Sequence, residues 1–196
     1  MTTNLAGLLH QTRSPLRKRL LAYFFTNPEA RLYLREIALK IRADAANLSR
    51  ELARLEKEGV FLSEKRGLQK YFWLNKNYAI YQELKSMIFK TAGVQGAVQD
   101  LLKKTPGIRR AFIYGSFAKN AERAGSDIDL CLVIQKERFD EDLMLPKLHK
   151  LEGALGREIN YTFFTEEEWA SKKNAADSFV LGLLKNKRIE LIHEKD

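Results

Sequence analysis

Two apolar runs held apart by a short polar stretch constrain this chain most. Ala111 to Tyr114 is closed by Gly115-Ser116, and Ser126-Asp127-Ile128-Asp129-Leu130 opens a second run through Ile134. Short apolar runs bounded in this way read as buried strands. A Gly-Ser at a strand end, followed by a helix start, offers close backbone approach, a hydroxyl and free N–H groups, which together suit a polyphosphate. Asp127 and Asp129 stand two apart on a strand, so their carboxylates project from one face and can grip one or two divalent cations.

This combination resembles the DNA polymerase β-like nucleotidyltransferase superfamily in its minimal form. The resemblance rests on Gly115, Ser116, Ser126, Asp127 and Asp129. It implies that Asp127 and Asp129 hold Mg²⁺ and that Gly115, Ser116 and Ser126 seat an NTP, with ATP the expected one. The family also uses a third carboxylate on a neighbouring strand, which draws the proton from the attacking hydroxyl. In the run Arg157 to Phe164 that position falls on Asn160. An amide can offer its oxygen to magnesium, but it brings no charge and takes no proton at neutral pH. Glu158, about 6–7 Å away along the strand, is either a surrogate base or an exposed strand charge. Where the family often has glycine after the serine, Lys119-Asn120 stands here, and asparagine tolerates left-handed geometry. Thr165 followed by Glu166-Glu167-Glu168 reads as a capped helix start rather than as a metal site.

The charge is unevenly spread. Up to Lys90 there are 17 Lys/Arg against 8 Asp/Glu, whereas from Thr91 onward there are 17 of each, so the whole net charge of +9 lies in the first half. A basic module beside a neutral one points to a polyanionic partner, with double-stranded DNA the leading candidate. Cys131 is the single cysteine and sits in an apolar run, which leaves neither a disulfide framework nor a cysteine-rich metal site. His10, His149 and His193 show no ligand spacing. No membrane span or secretory signal is legible, so a cytoplasmic protein is expected.

The first half reads as three helices and a hairpin. Pro15 to Phe25 is one helix with Ser14 as its cap, and Ala30 to Tyr33 reads as a short strand. Leu34 to Ile41 is a second helix, joined by Arg42-Ala43-Asp44 to a third from Ala45 to Glu58. Leu48, Leu52 and Leu55 form the buried stripe of that third helix, with Asn47, Arg50 and Arg54 on its outer face. Val60 to Glu64 and Gln69 to Leu74 read as strands joined through Lys65-Arg66-Gly67. Leu16 to Leu74 therefore resembles a winged helix-turn-helix domain. The resemblance implies base or groove contacts from Asn47 and Arg50, with Arg54 on the same DNA-facing side, and phosphate contacts from Lys65, Arg66 and Lys70; the alternative is a module that meets a protein instead.

The expected fold class is mixed α/β: a winged helix-turn-helix over 1–77, a helical connector over 78–96, and a nucleotidyltransferase-like mixed sheet with flanking helices over 97–196. The connector could couple the two halves rigidly or serve as a homodimer contact. Two functions follow from the resemblances. One is a DNA-binding transcriptional regulator whose second domain binds nucleotide and Mg²⁺ with degenerate catalysis. The other is an active transferase of NMP from NTP to a protein, nucleic-acid or small-molecule hydroxyl, antitoxin-like, with a toxin as partner.

Overall fold

The computed structural model describes residues 14–123 and 125–193, and the chain within them is mixed α/β. It divides into two compact units. The first holds the residues up to Gly93 together with Ala154–Gly156; the second holds Val94–Gly153 and the residues from Arg157 onward. His10 lies outside the described residues. No helix among the described residues is long and apolar enough to cross a membrane.

In the first unit, helix α1 (Pro15–Thr26) starts where Ser14 caps it, the Ser14 hydroxyl accepting from the Arg17 N–H at 3.3 Å. A short strand β1 (Leu32–Tyr33) leads into α2 (Leu34–Ile41), which ends at Arg42 in the left-handed region at φ +50°. Asp44 then caps α3 (Ala45–Lys57), accepting from the Asn47 N–H at 2.9 Å. Strands β2 (Phe61–Arg66) and β3 (Gln69–Leu74) form an antiparallel hairpin, and the sheet order is β1-β3-β2. The hairpin loop is tighter than the sequence suggests. Lys65 and Arg66 still pair with Lys70 and Gln69 in the ladder, which leaves Gly67, at φ +60°, and Leu68 to make the turn.

Leu48, Leu52 and Leu55 are fully buried and face Leu20, Phe24, Ile37 and Phe61 in one core. Helix α4 (Tyr81–Thr91) packs Tyr81, Leu84 and Ile88 into that same core. An ion pair lies beneath it: Arg17, only 1% exposed, donates from Nε to the Glu51 carboxylate.

The second unit begins with α5 (Val94–Leu102) and builds a four-stranded sheet in the order β6-β5-β4-β7. Its strands are β4 (Ile108–Tyr114), β5 (Ile128–Ile134), β6 (Ile159–Thr165) and β7 (Ile189–Ile192). β4 runs antiparallel to both β5 and β7, while β5 and β6 are parallel, so the sheet is mixed. A single helical turn α6 (Gly115–Ala118) follows β4, and α7 (Glu141–Leu155) makes the crossover from β5 to the parallel β6. Helices α8 (Glu166–Asn174) and α9 (Ser178–Lys185) follow β6. The acidic triplet is a helix start, as its composition implies: Thr165 and Glu168 form a reciprocal capping box. Phe112, Cys131, Val133, Phe164, Trp169, Val180 and Leu183 make a core on one side of the sheet. Cys131 is a packing residue there, and burial pushes its thiol up to about 12.

Candidate functional site

Three neighbouring strands of the second unit bring the sequence-predicted residues together. Tyr114 on β4 is paired with Asp129 on β5, and Asp129 is paired with Asn160 on β6. Directly paired residues project to the same side of a sheet, so Tyr114, Asp129 and Asn160 form a row across it. Asp127 stands two residues before Asp129, at the mouth of β5. The Asn160 Nδ2 donates to its Oδ2 at 3.1 Å, which places the Asn160 amide beside the acidic pair.

Gly115 closes the other side. It holds φ +69°, and a Cβ there would run into the Asp129 carboxylate, with Cγ at 3.0 Å. Only glycine lets the backbone turn so tightly against that carboxylate. Burial raises the Asp129 carboxyl above the ordinary range, and the neighbouring Asp127 charge raises it further. Two crowded, half-buried carboxylates lose their mutual repulsion when a divalent cation sits between them. The two carboxylates could hold a divalent cation, and the glycine leaves room for the backbone to approach it. No group of three or more His, Cys, Asp or Glu among the described residues is placed to hold a metal, and the β6 side chain beside Asp127 is the Asn160 amide.

The loop entering β5 is fixed from below by a residue the sequence did not single out. Arg157, 6% exposed, donates from Nη1 to the carbonyls of Arg123 (3.0 Å) and Ser126 (3.2 Å). Its guanidinium also lies 6.0 Å from the centre of the Phe117 ring on α6. One buried cation thus ties the turn after Gly115 to the backbone that aims Asp127. Its sequence signal was weak, a lone arginine ahead of a strand. Ser126 turns its hydroxyl to accept from the Arg123 N–H at 2.9 Å, which braces the same loop. Glu158 is exposed, and its carbonyl accepts from the Ile128 N–H at 2.9 Å. Asn120 adopts φ +53°, the left-handed geometry its side chain tolerates.

In the first unit, α3 presents Asn47, Arg50 and Arg54 on its exposed face. Arg50 Nη2 donates to Asn47 Oδ1 at 2.6 Å, and Arg54 lies 3.8 Å from Glu51. On the hairpin, Arg66 pairs with Glu64 at 2.8 Å and Lys70 with Glu56 at 2.7 Å, while Lys65 is exposed. Exposed pairs of this kind contribute about 0–1 kcal/mol, so a phosphate can displace them at small cost. A groove of about 520 Å³ between α2, α3 and the hairpin is lined by Tyr33, Arg35, Ser49, Gln69, Lys70 and Phe72. Arg35 adds a cation that the sequence reading missed, because its place beside Lys70 depends on how the hairpin packs.

Residues 97–181 match the family model of polymerase beta nucleotidyltransferases. No curated protein matches the chain. Among solved structures, the chain is similar to a toxin–antitoxin with AMP-PNP at 17% identity, covering 50% of this chain and 73% of that one with a TM-score of 0.37. It is similar to a mutant of the toxin–antitoxin MntA–HpeT at 14% identity, covering 51% and 73% with a TM-score of 0.38. Reduced HlyU from Vibrio cholerae is matched at 22% identity, covering 41% and 77% with a TM-score of 0.32. The stretch 97–181, which holds the glycine cradle and the aspartate pair, is a nucleotidyltransferase-like domain of the polymerase beta type.

Proposed function

We propose that this protein is a DNA-binding transcriptional regulator whose nucleotidyltransferase-like domain binds Mg²⁺ and an NTP as a signal, with catalysis degenerate. The observation that carries the reading is Asn160: an amide hydrogen-bonded to Asp127 stands where a proton-accepting carboxylate would be needed. Asp127 and Asp129 would hold the metal, and Gly115 and Ser116 would cradle the phosphates. A bound magnesium would neutralise phosphate charge and orient the triphosphate. Asn160 would hold Asp127 in place without removing a proton from an acceptor. Ser126 braces the loop by accepting from the Arg123 N–H, and its own O–H would remain a donor for a phosphate oxygen.

For the first unit the reading is a winged helix-turn-helix. Asn47, Arg50 and Arg54 on α3 would face base edges, and Lys65, Arg66, Lys70 and Arg35 would face phosphates. The support is the exposure of these groups together with the restriction of the excess positive charge to the first half. A second reading, NMP transfer to a hydroxyl of a partner such as a toxin, is favoured by one feature: Glu158 is exposed two residues before Asn160, and its longer side chain would have to serve as the base.

Incubation with α-labelled NTPs, Mg²⁺ and lysate of the source cell separates the two. The regulator reading expects label that binds the protein reversibly and no labelled acceptor. A specific labelled acceptor that vanishes in the Asp127→Asn/Asp129→Asn variant would overturn it in favour of the transferase. For the DNA-binding unit, duplex affinity should fall steeply with salt, by about one counterion per phosphate contact.

A further inference from the structure

Next to the acidic pair the second unit carries an aromatic surface that the phosphate and metal chemistry leaves unused. Phe179, near the start of α9, is 44% exposed although its neighbour Val180 is fully buried. Its backbone is fixed: Asp177 Oδ1 accepts from the N–H groups of Phe179 and Val180, each at 3.1 Å. Its ring meets Tyr114 edge-on, with centroids 6.2 Å apart at 84°, and lies 6.4 Å from Phe164. Phe164 in turn packs on Trp169 at 5.7 Å. Phe179 is thus the wet end of a rigid aromatic row.

The other end of the contact is what gives the row a purpose. Tyr114 precedes Gly115 directly and is the ladder partner of Asp129. Tyr114 thus links the two places: its backbone leads into Gly115 and its ring contacts the exposed Phe179. A half-exposed phenyl ring retains unburied apolar surface that a flat apolar ligand would cover.

We propose that Phe179, backed by Tyr114, is the stacking shelf for the nucleobase of the nucleotide whose phosphates lie at Gly115 and Ser116. This rests on the nucleotide-binding reading above and adds its base subsite. Every base has a π face, so the shelf supports binding without reading hydrogen-bond pattern. Purines cover more of it than pyrimidines, so ATP and GTP bind more tightly than CTP and UTP.

The test compares Mg·ATP with Mg·tripolyphosphate by calorimetric titration, on wild-type protein and on Phe179→Ala and Phe179→Tyr. Wild type should bind ATP more tightly than tripolyphosphate. Phe179→Ala should weaken ATP about 10-fold, the loss expected for one stacked base, and leave tripolyphosphate unchanged. Phe179→Tyr should retain ATP affinity. If Phe179→Ala weakens both ligands alike, or wild type holds both equally, the shelf is wrong while the phosphate seat stands. If wild type binds neither, the nucleotide reading itself fails and the shelf fails with it. If the alanine variant does not fold, Phe179→Leu, which keeps apolar bulk but removes the ring, carries the same test: ATP weakened with tripolyphosphate unchanged supports the shelf, and unchanged ATP affinity overturns it.

Discussion

Asp129 occupies the space that any side chain at position 115 would need. Gly115 sits at φ +69°, and a Cβ on it would meet the Asp129 carboxylate, with Cγ at 3.0 Å. The glycine therefore does two jobs at once: it turns the chain from β4 into α6 and gives the carboxylate room. Gly115→Ala should destabilise the protein by about 1–3 kcal/mol through left-handed strain and the clash. It should weaken Mg·ATP binding at least about 10-fold by displacing Asp129. Thermal melting and calorimetry on the purified variant check both figures.

Asn160 fixes Asp127 with a neutral amide at 3.1 Å. Replacing it with aspartate removes that donor and puts a third negative charge beside a carboxyl already raised by burial and by Asp127. Asn160→Asp should therefore lower the melting temperature without metal and tighten Mg²⁺ or Mn²⁺ binding, by about 10-fold at neutral pH. The two effects have opposite signs. Melting curves with and without Mn²⁺ display them together, and a variant that loses stability without gaining metal affinity would place Asn160 away from the ion.

Arg157 holds the carbonyls of Arg123 and Ser126 from inside the unit. Arg157→Met keeps the apolar bulk and removes the donors, leaving two partly buried carbonyls unpaired at a cost of about 1–3 kcal/mol each. The loop that aims Asp127 should loosen, so Mg·ATP affinity should fall while tripolyphosphate without metal is little affected. Arg157→Lys, able to reach one carbonyl, should recover part of the loss.

Glu190 on β7 supplies a pH-dependent contribution. Burial alone would raise its carboxyl, but the hydrogen bonds from Arg110 and Arg188 outweigh burial and leave it below the usual carboxylate range. A lowered folded-state pKa means that the unfolded chain takes up the proton first. The stabilisation is therefore complete above the unfolded value, about 4.3, and fades as pH falls through the folded one. Glu190→Gln should cost about 1–2 kcal/mol at pH 7 and nothing measurable at the lowest pH where the protein folds. Urea titrations of wild type and variant at pH 7, 5 and below 4 check the convergence.

Local signals wrote much of this structure legibly. Helix α2 falls on Leu34–Ile41 as its local pattern predicts, and strand β4 contains the apolar run Ala111 to Tyr114 and reaches back to Ile108. The Asp127 and Asp129 spacing set the expectation of a shared face; Asp127 lies one residue before β5, and its charge acts on the Asp129 carboxyl. What escaped was set by partners distant in sequence. Arg17 reads as one more basic residue of α1, and its burial against Glu51 depends on how α1 and α3 pack. Arg157 reaches back 31 and 34 residues for its carbonyls. The apolar stripe of α4 is plain in sequence, but the stripe alone does not say which core it joins. The register that sets Asn160 beside Asp129 rests on a parallel pairing across the α7 crossover, so sequence supplied the residue but not its contact with Asp127.

The most direct test of the account is equilibrium binding of α-labelled ATP to the purified full chain, with Mg²⁺ and with EDTA, beside Asp127→Asn/Asp129→Asn. Saturable binding that requires Mg²⁺ and is lost in the double variant, with the label recovered as intact ATP, is the predicted result. Absence of binding, or binding indifferent to both metal and the two aspartates, would contradict the nucleotide site.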